Sequence, residues 1–271
     1  MFGLANPDNF MRVTRPLVGP LWVIAALLLA VGAVWAFRVP EDALQGDTVR
    51  ILFIHVPAAS LGLAVYASLG LSCLFYLIFR HSLADAAARA AVLPGAAFTG
   101  LALITGALWG QPMWGTWWVW DARLTSVFVL FLMYLGLIAL NRAMDDPSRA
   151  ARVSAVLILV GFVNIPIIKF SVEGWNTLPQ PASVIRMGGS AIDAEFLWPL
   201  LTMAVGFTLL FFTLHIAAMR HEIWRRRVAA QRRLAARMAE EGQHFAEQLK
   251  SPEFAEAAAA FAQKRPPVFA D

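Results

Sequence analysis

The chain has 271 residues, of which 59% are hydrophobic and only 15% charged, with a mean hydropathy of +0.63. That balance excludes an ordinary soluble domain and leaves room for roughly six or seven membrane spans of ~20 residues. A net charge of +4 and a pI near 9.7 do not point to nucleic acid, because the Lys and Arg residues gather beside apolar runs, where they orient helices and meet anionic headgroups.

Residues 1–16 are polar and carry Arg12 and Arg15; the apolar run Leu17–Phe37 follows. A secretory signal would have a shorter apolar core of ~7–15 residues, so this run is read as the first span. Arg38–Arg50 is a polar connection, and Ile51–Phe79 is a second span that places His55 at its boundary. Arg80–Arg89 reads as a basic turn, and Ala90–Leu108, rich in Gly and Ala, as a third span suited to close packing. Leu124–Leu140 is the fourth span and Val153–Phe170 the fifth, with the polar turn Asn141–Arg152 between them. Asn164, Pro166 and Lys169 interrupt the fifth near its end. Ser171–Ala194 forms a second loop on the same side as His55, and Phe196–Met219 the sixth span.

Beyond Met219 the chain is Arg-rich and then Ala/Glu-rich. It is expected to form a cytoplasmic helix over Arg220–Leu249 and a weakly structured remainder. The expected architecture is all-α, with six transmembrane helices over 1–219 and a cytoplasmic helix and tail over 220–271. The heavier Lys/Arg flanks hold Arg12, Arg15, Arg80, Arg89, Arg142, Arg149, Arg152, Arg220 and Arg225–Arg227, which makes both termini cytoplasmic.

The least ordinary stretch lies between the third and fourth spans. In Trp109–Asp121, WGQPMWGTWWVWD, five tryptophans stand within thirteen residues, spaced by Gly110, Pro112 and Gly115. A belt at the membrane boundary needs one or two indoles, so Trp109, Trp114, Trp117, Trp118 and Trp120 suggest a surface for a flat apolar ligand. His55 shares that side and carries a nitrogen able to ligate a transition metal or haem iron, the alternative being polar lining. Arg50 and Arg123 are suited to ligand carboxylates, or to snorkelling among headgroups. Asp121 caps the fourth span, pairs with Arg123 or meets an indole N–H. Cys73 is the only cysteine and lies in an apolar run, which rules out an intramolecular disulfide or a thiolate cage. The sequence holds neither a catalytic grouping on that side nor a Walker-type loop, so ATP hydrolysis, where it is needed, falls to a partner.

WGQPMWGTWWVWDARLTS at Trp109–Ser126 closely resembles the WWD signature of haem-handling membrane proteins of cytochrome c maturation. With six spans, ILFIHVPAA at Ile51–Ala59 and WNTLPQPAS at Trp175–Ser183, the chain is similar to the CcmC, or haem exporter protein C, family over roughly Arg12–Met219. The resemblance implies an inner-membrane, multi-pass subunit of an ABC-type complex with CcmA, CcmB and CcmD. Such a subunit holds haem b at its periplasmic face, through the WWD loop between helices 3 and 4, and presents it to the chaperone CcmE. It implies no enzyme. It also implies two axial histidines, the first matching His55. The second belongs to an NTLHQ pattern, in which this sequence has Pro179, and Gly174 replaces a family tryptophan. A proline cannot ligate iron, so either haem binding is weakened in this variant or water or a group such as Met187 would stand opposite His55. Two rival readings are a haem transporter with a central path, and a transmembrane electron carrier, for which only His215 is well placed within a span.

Overall fold

The computed structural model describes residues 6–144, 146–174 and 192–269. Every regular element among them is helical: α1 Pro7–Arg38, a 3-10 turn Asp47–Ile51, α2 Leu52–Phe79, α3 Ser82–Trp114, α4 Ala122–Ala143, α5 Pro147–Gly161, α6 Asn164–Gly174, α7 Ala194–Gln248 and α8 Pro252–Ala262. Among the described residues six helical stretches are long and apolar enough to cross a membrane, α5 and α6 counting as one. The chain falls into two compact units, Met1–Glu222 and Ile223–Asp271.

The first unit is held by small residues that let helix backbones approach, since lipid tails give apolar side chains little reason to leave them. A Cβ on Gly62 of α2 would stand 2.8 Å from the Thr99 hydroxyl of α3, and one on Gly70 2.6 Å from the Phe162 ring. Gly32 of α1 faces Met203 of α7, and Gly206 of α7 faces Leu29 of α1. At the centre, the fully buried rings of Tyr66 and Tyr134 meet edge to face at 5.4 Å and 88°. Each hydroxyl donates to a backbone carbonyl of another helix, Tyr66 to Ile158 at 3.2 Å and Tyr134 to Gly62 at 3.1 Å. The buried phenols therefore carry no unmet donor, and α2, α4 and α5 are tied through their main chains.

Several sequence boundaries shift. The expected basic turn Arg80–Arg89 shrinks to Arg80 and His81, because α3 already begins at Ser82. Arg80 ends α2 in the left-handed region at φ 54°, its N–H donating to Tyr76. Arg89 consequently lies inside α3 with its side chain only 12% exposed. Its guanidinium pairs with Asp85 at 3.3 Å and donates to Asn141 Oδ1 of α4 at 2.8 Å and to the Pro147 carbonyl at 2.9 Å. One side chain thus joins the starts of α3 and α5 to the end of α4. On another pair of helices, Arg220 of α7 donates to the Met11 carbonyl and to the Thr14 hydroxyl of α1.

The fifth span is broken, as its polar interruptions suggested, but nearer its middle, at Phe162 and Val163. Pro166 has no N–H to return to the Phe162 carbonyl, so i→i+3 bonds from Phe162, Val163 and Ile165 carry the chain through the gap. Asn164 then donates to the Ser126 carbonyl of α4 at 2.8 Å and fixes where α6 begins. The sixth span and the expected cytoplasmic helix are one continuous α7, which runs through Met219 and Arg220.

In the second unit, the end of α7 is followed by α8, capped by Ser251. Both oxygens of Glu256 are taken by Arg265, at 2.5 and 3.0 Å, and Oε1 also accepts from the Val268 N–H. Those bonds hold its carboxyl at about 2, below the ordinary 4.5. A depressed carboxylate contributes stability above the unfolded value and loses it as pH falls from about 4.5 towards 2. We expect the Val268 amide to lose exchange protection across that window, while amides within α8 change less; hydrogen exchange read residue by residue checks this.

Candidate functional site

α2 and α3 run side by side, with the start of α2 beside the end of α3. His55 lies in the first turn of α2 and faces a stripe of α3 at Thr105, Gly106 and Trp109, one helical turn apart. Its Nδ1 is 3.0 Å from the Thr105 hydroxyl. A Cβ on Gly106 would come within 3.0 Å of the imidazole Cε1, so glycine is what lets the ring lie against α3. The Trp109 indole meets the imidazole edge-on, with centroids 5.6 Å apart and planes at 73°. Trp109 Nε1 in turn donates to Gln45 Oε1 at 3.0 Å. Gln45 is held by a built turn: Asp42 Oδ1 accepts from the N–H groups of Leu44 and Gln45, and Gly46 closes it at φ 54°. The connection between α1 and α2 thereby reaches the same wall.

The tryptophan-rich stretch is less of a loop than its composition suggests. α3 continues through Gly110 and Pro112 to Trp114, so Trp109 and Trp114 are helical. Pro112 forfeits only the bond to the Leu108 carbonyl. The helix ends where Gly115 enters the left-handed region at φ 72° and donates to the Gln111 carbonyl at 2.9 Å. The true loop is 115–121. Trp114 folds back over Gly110, where a Cβ would stand 3.0 Å from its ring. Trp118 and Trp120 meet edge to face at 5.6 Å, and both contact Phe128 of α4. Trp120 is 75% and Trp117 59% exposed. The sequence suggested one shelf of five indoles beside the imidazole. Among the described residues only Trp109 makes a ring contact with His55, because helix geometry carries it onto the α2-facing stripe while the others of the five belong to the loop and its rim.

Asp121 caps α4, its Oδ1 accepting from the Leu124 N–H at 2.7 Å. Its Oδ2 and the Trp118 Nε1 are buried and unbonded among the described residues. Arg50 pairs with Asp47 one turn earlier in the 3-10 segment, while its buried Nε stays unbonded among the described residues. Arg123 sits half-buried in the first turn of α4. His215 stacks on Phe211 at 5.4 Å and 22°, as a packed ring of α7. Trp175–Ser183, with Pro179, and also Met187, lie outside the described residues. Thr105, Gly106 and Gln45 were not anticipated. The available signal was Thr105, a polar residue one turn before Trp109 inside an apolar run.

The family model for heme exporter protein C matches residues 1–234. The chain belongs to the heme exporter protein C family. A heme exporter protein C of Bradyrhizobium diazoefficiens is 60% identical over 240 residues, covering 88% of this chain and 91% of that one. That of Paracoccus denitrificans is 46% identical over 229 residues, covering 83% and 94%. That of Escherichia coli K12 is 42% identical over 221 residues, covering 81% and 89%. As a member of the heme exporter protein C family, the chain is a multi-pass membrane protein of cytochrome c biogenesis. All the residues of the His55–Trp109 contact fall within the matched range.

Proposed function

We propose that the chain binds haem b at the end of the bundle that carries His55 and presents it across the periplasmic face of the inner membrane to the chaperone CcmE. It would do so as a non-enzymatic subunit working with CcmA, CcmB and CcmD. The observation that carries this reading is the His55 site. An imidazole at the boundary of a span uses Nδ1 for its hydrogen bond, stands against an indole, and makes no bond through Nε2 among the described residues. Such a side chain fits an iron porphyrin, which requires a free imidazole nitrogen and apolar walls. The ligand supplies an iron that takes the imidazole and a vinyl edge that reacts on the chaperone.

The residues of this chain then bind and orient. His55 fixes the iron, Trp109 walls the ring on the α3 side, and Trp118 and Trp120, with Trp114 and Trp117 at the rim, offer exposed indole surface for the macrocycle or the chaperone. Asp121 sets the start of α4 and thereby the loop. Arg50 and Arg123 would meet the propionates, Arg50 exchanging part of its bond to Asp47 for them. Holding the cargo in one orientation converts an encounter with the chaperone into a directed transfer. The Lys/Arg-rich flanks at the opposite ends of the helices favour cytoplasmic termini, with residues 220–271 forming a cytoplasmic region.

Full-length protein in nanodiscs, titrated with haem, is expected to saturate at one haem per chain with a histidine-ligated spectrum and to pass that haem to purified CcmE. Unsaturable binding, or a spectrum indifferent to the protein, overturns the reading. Pro179→His is expected to convert the bound haem to a six-coordinate, low-spin form.

A further inference from the structure

Building on that reading of His55, we infer that Thr105 is a positioning residue: its hydroxyl keeps a proton on Nδ1 of His55 and so commits Nε2 to the iron. The argument begins with the hydroxyl's single proton. Thr105 Oγ1 lies 2.7 Å from the Leu101 carbonyl and 3.3 Å from that of Ala102. A carbonyl only accepts, so the close approach to Leu101 requires the hydroxyl to donate there, the ordinary back-bond of a threonine within a helix. With its proton spent, Oγ1 meets Nδ1 at 3.0 Å only as an acceptor. Nδ1 therefore carries hydrogen, and the neutral ring has its lone pair on Nε2.

The same contacts restrict rotation. Nδ1 is tied to Thr105, Cε1 rests on the bare backbone of Gly106, and the edge-on Trp109 indole, itself held by Gln45, closes another side. The ring is thus fixed in tautomer and direction before any ligand arrives. A hydrogen bond from the far nitrogen also makes a ligating imidazole more basic. No other residue of α3 duplicates this through its side chain, since Ala102 and Gly106 have none that accepts. The Ala102 carbonyl lies 3.3 Å from the same hydroxyl, which makes the backbone a competitor for the proton.

The test uses haem-loaded full-length protein with Thr105→Val, which keeps the shape and loses the hydroxyl, Thr105→Ala as a second hydroxyl-free variant, and Thr105→Ser as the conservative replacement. In the five-coordinate ferrous form, the iron–histidine stretching band in resonance Raman reports the bond at Nδ1. Both hydroxyl-free variants are expected to lower that frequency and weaken haem binding about 10-fold, with Thr105→Ser restoring both. A band and affinity unchanged in Thr105→Val and Thr105→Ala would assign the proton to the Ala102 carbonyl and overturn the inference. The parent reading fails differently: His55→Ala would then leave the haem spectrum as in the wild type. Loss of haem in His55→Ala with an unmoved band in the Thr105 variants sinks only the role of Thr105.

Discussion

Replacing His55 by alanine is expected to weaken haem binding by at least about 100-fold, about 2.8 kcal/mol, and to abolish chaperone loading with it. The size follows from the site. Among the described residues His55 is the imidazole that meets a tryptophan of the WWD stretch, and the position of the second histidine expected of the family is Pro179, so the iron has no other protein imidazole on the pattern. Loss of fold is not the expected cause. His55 makes one side-chain hydrogen bond, worth about 1 kcal/mol, whereas further along α2 Gly62 packs on Thr99 of α3 and Ala58, Leu61 and Val65 are buried. His55→Gly supplied with free imidazole should regain the wild-type spectrum. Retention of haem with an unaltered Soret band in the purified alanine variant would refute the assignment.

The second large effect is on stability. Gly95→Ala would set a methyl 2.4 Å from Cε1, Cζ and the hydroxyl oxygen of Tyr134. That ring is fully buried and bonded to Gly62, so it has nowhere to yield without surrendering the bond. Overpacking costs about 1–3 kcal/mol, and a buried hydroxyl left unmet about 1–3 more. A destabilisation of about 2–6 kcal/mol, from those two sources, is expected in reversible unfolding in detergent or bicelles. Gly95→Ala combined with Tyr134→Leu should be less damaging than the two single changes added, since the smaller side chain vacates the space. Additive effects would show that the helices shift apart instead. Gly161 is a comparable site, because a Cβ there would meet not only the mobile end of Met133 but also the hydroxyl of the fully buried Tyr66, which is bonded to the Ile158 carbonyl.

The spans were legible because a bilayer demands ~20 apolar residues at a stretch and the polar turns between them are short. The break in the fifth span was legible too, since Pro166 and Asn164 cannot be accommodated silently in a helix. The end of α3 was not. The third span was expected to end at Leu108, yet the helix runs on through Gly110 and Pro112, which costs one bond only, and stops where Gly115 supplies a left-handed turn. His55 and the Trp-rich stretch stood out by residue type. Thr105 did not, because a threonine in a span ordinarily satisfies itself on the preceding turn, which Thr105 also does. Its second bond depends on which helix lies opposite, and local pattern holds no record of that. Gln45 was hidden for the same reason, sixty-four positions from Trp109 in the chain.

The Arg89 cluster bears on how the bundle is assembled. Asp85 is on the same helix, one turn away, but Asn141 and the Pro147 carbonyl belong to the following hairpin. Within the α2–α3 hairpin, the guanidinium's hydrogen bonds go to its local carboxylate, Asp85. The remaining bonds form when the α4–α5 hairpin has been inserted and docked. A cation held by three segments is therefore a clasp, complete only when both hairpins are in place.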